Sequence, residues 1–149
     1  MRILSIDVSD EEIKNMVIEW NELLAVEKYE EALSMFSSDN LEAEWTPDLL
    51  EQAVYGYGVI GYTREEIKEM FGPEEYKITS IFDNKEKDKI INSIEVSRDL
   101  NFKDENVIGM VHYDCIPLNG ELSDLTARFH IKKIDEKNIT LKFLDLHVM

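Results

Sequence analysis

Two hydrophobic periods divide the chain. From Ile13 to Leu24 the apolar residues Ile13, Met16, Val17, Trp20, Leu23 and Leu24 recur in steps of three and four, the spacing of one helix face, with acids opposite. Ser9 followed three positions later by Glu12 marks the start of this helix as a capping box. A shorter helical stretch carries Tyr29, Leu33 and Phe36 on its buried side and ends at Ser37-Ser38-Asp39-Asn40. Leu41 to Trp45 reads as extended. Thr46 as N-cap with Pro47 at the first helical position opens a third helix. Thr63 with Glu66 opens a fourth, which Gly72-Pro73 closes. Between them, Tyr55-Gly56-Tyr57-Gly58-Val59-Ile60-Gly61 lacks the lysine and hydroxyl residue of a phosphate loop and reads as a flexible connection.

From Tyr76 the period changes to alternation. Tyr76–Phe82, Ile91–Phe102, Val107–Pro117, Leu122–Ile134 and Ile139–Val148 read as strands. Asn119-Gly120 is a strong hairpin signal and Asp135–Asn138 a second turn, so consecutive hairpins predict an antiparallel meander. Counting back from Asn119-Gly120 pairs Tyr113 with Thr126 and Val111 with Arg128. Pairing Ile134 with Ile139 sets Arg128 opposite Asp145 and Thr126 opposite His147. Alternation then predicts a core face with Met110, His112, Asp114, Leu125, Ala127, Phe129, Ile131 and Leu146. The opposite face takes Tyr113, Cys115, Arg128, His130, Phe143, Asp145 and His147, the mixture expected of a solvated face or a wet subunit interface. A one-residue bulge would reverse these assignments locally.

The expected fold class is α+β: N-terminal helices packed on one face of a strongly curved antiparallel sheet, in a single domain spanning 1–149. A chain of 149 residues sustains one core rather than two. The formal charge of -16 is uneven: residues 1–75 hold 19 acids against 5 bases, and residues 76–149 hold 13 against 11. Such a field disfavours nucleic acid and anionic membranes and, if not merely solubilising, suits a basic partner protein. Cys115 is the single cysteine, which rules out an internal disulfide. With no apolar run of membrane-spanning length and no signal-peptide pattern at the start, it points to the cytoplasm.

His112 and Asp114 interrupt the predicted core face. Two apart on a strand, they point the same way and could reach one ligand, the histidine moving a proton and the carboxylate orienting it. Trp20, Tyr29, Phe36 and Trp45 would give an apolar wall from the helices, with Tyr55 and Met110 completing the candidate pocket. The competing polar constellation is Arg128, Asp145 and His147, joined by Tyr113. It reads as a structural ion pair or a carboxylate site, and takes precedence if its face is the concave one. No metal site is expected, since His130 and His147 fall too far apart on the proposed register to share an ion. No G-x-S-x-G accompanies a nucleophile.

The order of elements resembles the NTF2-like superfamily, also described as SnoaL-like or cystatin-like α+β cones. The resemblance rests on the N-terminal amphipathic helices, the Asp39-Asn40 turn, the Trp45 segment and Gly61 ahead of Glu65-Glu66-Ile67. It is strongest in the closing meander from Leu125-Thr126-Ala127-Arg128-Phe129-His130 through Leu141 to Val148. It implies an apolar pocket between helices and bent sheet that binds a small hydrophobic molecule. Catalytic members are cofactor-independent isomerases, dehydratases and cyclases, for which His112 and Asp114, helped by Tyr29 or Tyr55, are the matching positions. Other members are transport, scaffold and immunity proteins, and many form homodimers through the outer sheet face. The expectation is thus a small-molecule binder, with an isomerase or lyase and an acidic interaction or immunity protein as alternatives.

Overall fold

The computed structural model describes residues 1–37, 45–98 and 102–148. After a two-residue strand β1 (Leu4–Ser5), helix α1 runs Asp10–Ala25, α2 Tyr29–Ser34, α3 Pro47–Tyr55 and α4 Arg64–Phe71. The N-cap residues are those the sequence marks, with the reciprocal box found at α4. Ser9 accepts from the Glu12 N–H, Thr46 from Leu49, and Thr63 forms a reciprocal capping box with Glu66. The Leu41–Trp45 expectation lies outside the described residues except for Trp45 itself.

The second half holds helix α5 (Lys87–Asn92) and strands β2 (Ile94–Arg98), β3 (Val107–Tyr113), β4 (Pro117–Leu118), β5 (Glu121–Leu122), β6 (Leu125–Lys133) and β7 (Asn138–Val148). β1, β7, β6, β3 and β2 make one antiparallel five-stranded sheet in that order, strongly curved into a half-barrel, with helices packed on one face. This is the expected α+β architecture, and its shape is consistent with an NTF2-like cone. Tyr76–Phe82 is not a strand: it makes one bridge, Ile78 to Leu118. The first part of the predicted Ile91–Phe102 strand is the end of α5, a short helix that alternation does not reveal.

The register holds the main correction. Leu118 pairs with Glu121 as the Asn-Gly turn dictates, but Tyr113 pairs with Ala127 rather than Thr126. One extra residue is absorbed around Ser123-Asp124, where the Ser123 hydroxyl donates to the Ile116 carbonyl and accepts from the Leu125 N–H. The side chains of β3 from Met110 to Tyr113 are therefore turned over relative to the sequence expectation, while Ile108, beside the Val107/Gly109 irregularity, packs against the core as expected. Val111 and Tyr113 are fully buried against the helices, while Met110 and His112 lie half-buried on the other face. A bulge between Arg128 and Phe129, with Leu144 as the extra residue on β7, cancels a one-residue error at the Asp135–Asn138 turn. Arg128 does face Asp145 and Thr126 does face His147, whereas Leu141 and Phe143 turn into the core. A second irregularity lies between Val107 and Gly109. A β-carbon on Gly109 would stand 2.6 Å from the Ser97 carbonyl oxygen, so glycine lets β2 and β3 approach there. Bulges bend strands, and these sit in the three long strands that carry the curvature.

The core is aromatic at its centre. Trp20 meets Phe129 edge-on at 5.3 Å and Phe143 at 5.5 Å, and Phe36 lies 5.1 Å from Phe129. Such pairs add about 0.5–1.5 kcal/mol each beyond area burial. No helix among the described residues is long and apolar enough to cross a membrane.

Candidate functional site

The sheet face away from the helices gathers the polar chemistry. On it, β6 presents Arg128, His130 and Lys132 at alternate positions. β3 contributes Met110 and His112 beside them, and β7 contributes Lys142, Asp145 and His147. All eight side chains are half-buried, so the face is neither sealed nor fully washed by solvent. All three histidines of the chain share it.

Arg128, Asp145 and His147 form a chain of contacts. The guanidinium donates from Nε to Asp145 Oδ1 at 3.0 Å and from Nη2 to Oδ2 at 2.5 Å, a two-pronged grip. His147 Nδ1 lies 3.0 Å from the same Oδ1. An ionised carboxylate can only accept, so Nδ1 carries the hydrogen and the ring is held in one orientation. Burial pushes the Asp145 carboxyl up, but Arg128 and His147 outweigh it and hold it below its ordinary value. The Asp145 bond in turn raises Arg128. His130 is pushed down, first by burial and then by the positive charges of Lys142, Lys132 and Arg128, with Asp104 opposing. Its ring also stands edge-on to Phe102 at 5.5 Å.

The remaining predicted residues are dispersed. His112 lies across from Glu95 on β2 and Arg128 on β6, away from the helices, contrary to the expected core placement. Asp114 follows β3, its N–H donating to the Ser93 carbonyl at 3.3 Å. Tyr113, expected beside Arg128, is instead inside: its hydroxyl donates to Asn21 Oδ1 at 2.8 Å. Burial, then the Glu22 and Cys115 charges, raise that phenol well above its usual value and keep it a donor. Asn21 donates to Glu22 and to the Thr79 carbonyl, and Glu22 accepts from Ser80 and the Ile81 N–H. This closed network ties α1 to the 79–81 segment, and alternation and capping do not reveal it. Its one signal in the sequence is an Asn-Glu pair beside the apolar stripe of α1.

Among the candidate pocket residues, Trp20 and Phe36 are buried in the aromatic core and Met110 lies on the opposite face. Trp45 packs at a tilt against Phe143, ring centres 4.7 Å apart, and donates to the Leu144 carbonyl beside the β7 bulge. Tyr29 is half-buried, its phenol pushed up to about 12 by burial and then by Glu51 and Glu27. Tyr55 takes the Arg64 guanidinium over its ring at 4.5 Å and donates to the Tyr62 carbonyl. The Gly-dense connection packs on the sheet's end. Gly58, at φ +86°, sits where a β-carbon would come 3.1 Å from the His147 α-carbon.

Three surface clefts lie elsewhere. Two flank Arg2 and Glu19, with about 200 and 320 Å³, and one of about 350 Å³ runs along β2 between Asp10, Lys14 and Glu95. None of the three includes His112 or Asp114. Comparison with known proteins adds no relative: no family model, curated protein or solved structure matches the chain. What the fold defines is a class, the α+β half-barrel of NTF2-like cone shape, an architecture consistent with small-molecule binding in general.

Proposed function

We propose that the protein is a binding module whose working surface is the sheet face opposite the helices, centred on Arg128, Asp145 and His147. The observation that carries this is the tethered Arg128-Asp145-His147 chain on a half-open face shared with Met110, His112 and His130. Ion pairs fixed in geometry beside apolar side chains are the anatomy of a wet protein interface. The partner would be a protein met in the cytoplasm, or a second copy of the chain. Affinity capture with the wild-type chain, a Met110→Glu variant and a helix-side Glu11→Lys variant tests it. Partner recovery, or a dimer by light scattering, should vanish with Met110→Glu and survive Glu11→Lys. Equal behaviour of both variants removes the proposal.

A second reading, binding of a small hydrophobic molecule inside the cone, is favoured by one observation. Trp20 Nε1 is buried with no hydrogen-bond partner among the described residues. A ligand carrying an acceptor would satisfy it, at the cost of repacking the rings around it. Titration with apolar carbonyl compounds, followed by tryptophan emission and thermal shift, should give saturable changes lost in Trp20→Phe. His112 and Asp114 as a proton-transfer pair would, in this setting, have to act from the other face of the sheet.

A further inference from the structure

The five-stranded sheet is closed at one edge and open at the other, and the open edge is a surface separate from the outer face. On the closed side β7 receives β1, and beyond it the Ser37 N–H donates to the Leu141 carbonyl at 2.9 Å. On the other side β2 ends the sheet, with no described strand beyond it. Its hydrogen-bonding phase is fixed by the Asp114 N–H, which donates to the Ser93 carbonyl at 3.3 Å. Bonded and non-bonded pairs alternate in an antiparallel ladder. Glu95 and Ser97 therefore turn their backbone groups to His112 and Met110, and Val96 turns its N–H and C=O to the free edge. Among the described residues no backbone group outside the sheet takes either one. A cleft of about 350 Å³ runs along this edge, with Asp10 and Lys14 of α1 as its far wall. Ile94 is buried and Val96 half-buried against the core, whereas Glu95 is exposed. Arg98 is engaged by Asp10, to which its Nε donates at 2.9 Å, and by the Val8 carbonyl. Proline and bulges, which ordinarily blunt an edge, do not occur in β2.

We propose that this edge accepts a sixth strand: an extended segment of a partner protein, antiparallel to β2, with apolar side chains inward and Lys or Arg outward. Backbone pairing supplies the affinity, and the alternate side chains supply the choice of partner. Residues directly opposite one another share a face of the sheet. Those opposite Ile94 and Val96 therefore enter the cleft at the margin of the core, where Lys14 repels a cation and apolar side chains fit. Their neighbours fall on the outer side, beside Glu95 and Ser97, of which Glu95 carries the charge. The formal charge of -16 adds a long-range pull on a basic segment and opposes a second copy of the chain. Antiparallel pairing is the sense used throughout this sheet and the more stable one per residue.

The probe is a fluorescent Lys-Val repeat peptide, read by anisotropy in three forms: unmodified, N-methylated at the valines, and N-methylated at the lysines. In antiparallel pairing the inward residues exchange the bonds with Val96. Methylated valines should therefore weaken binding about tenfold or more, while methylated lysines should bind like the parent. Simple ionic attraction treats both peptides alike, and that result overturns the proposal. Glu95→Lys should weaken binding about threefold. Glu30→Lys on α2, with the same change in net charge, should alter it little, and equal effects of the two overturn the proposal. Val96→Pro removes the outward donor without touching the β3 ladder and should abolish binding in a chain that still melts cooperatively. If that variant fails to fold, the two methylated peptides still decide. Absence of peptide binding overturns the proposal. So does a dimer in light scattering that Val96→Pro dissolves, which would give the edge to a second copy. Partner capture lost in Met110→Glu without any peptide binding leaves the outer face standing and removes the edge. Peptide binding with capture indifferent to Met110→Glu does the reverse.

Discussion

The two faces of the central sheet solve opposite problems with neighbouring residues. The inner face buries Val111, Tyr113, Phe129 and Phe143 completely or nearly so, and among the described residues the buried side-chain polar atom left without a partner is Trp20 Nε1. The outer face keeps His112, Arg128, His130 and Asp145 half-exposed and lets ionic geometry stand where packing would otherwise dominate. Adjacent positions, such as His112 and Tyr113, belong to different environments. Stability should therefore be governed by one face and recognition by the other, and mutations at alternate residues separate them.

The sharpest separation is expected from Trp20→Ala, which empties the centre of the aromatic cluster and should cost about 3–5 kcal/mol in urea unfolding. An outer-face truncation with a comparable cost would break the contrast. Next comes Gly109→Ala, whose β-carbon must displace the Ser97 carbonyl or the Ile131 side chain. It should cost about 1–3 kcal/mol by overpacking, read as a lowered denaturation midpoint. The pair Tyr113→Phe and His112→Ala tests the register directly. Loss of the phenol leaves Asn21 unsatisfied and should cost about 1–3 kcal/mol. His112→Ala should stay within about 0.5 kcal/mol. The reverse order would mean that β3 is turned the other way.

Smaller still is Asp145→Asn. Its pair with Arg128 is about one-third exposed, so the loss should be about 1 kcal/mol or less, shrinking in high salt. His130 gives the gentlest signal, a pH dependence. Its folded value lies below the ordinary 6.5, so the unfolded chain binds that proton more readily. Stability from this group is complete above about pH 6.5 and falls as pH drops towards the folded value, levelling below it. His130→Gln should flatten that part of the stability curve.

The helices, their caps and the change from helical to alternating period were legible because they depend on near neighbours: Ser9, Thr46 and Thr63 each cap within three residues. The Asn119-Gly120 turn and the β6 faces were legible for the same reason, and the Asp135–Asn138 turn was legible in place though one residue out in register. The polar site was only partly so. Arg128, Asp145 and His147 were correctly grouped because two one-residue errors cancelled between the Asp135–Asn138 turn and the Leu144 bulge. His112 was misplaced because nothing local announces the extra residue near Ser123-Asp124.

What the sequence determined by itself, then, was which segments become helices and strands and that the α+β class results, since period and capping are short-range properties. Only the tertiary structure decided which way β3 faces, that Tyr113 rather than His112 enters the core, and that cations from β6 and β7 stand side by side. The reason is physical. Side chains alternate with period two, so a single residue absorbed at a corner reverses a whole strand, and its placement is settled by packing Val111 and Tyr113 against α1 rather than by any local preference.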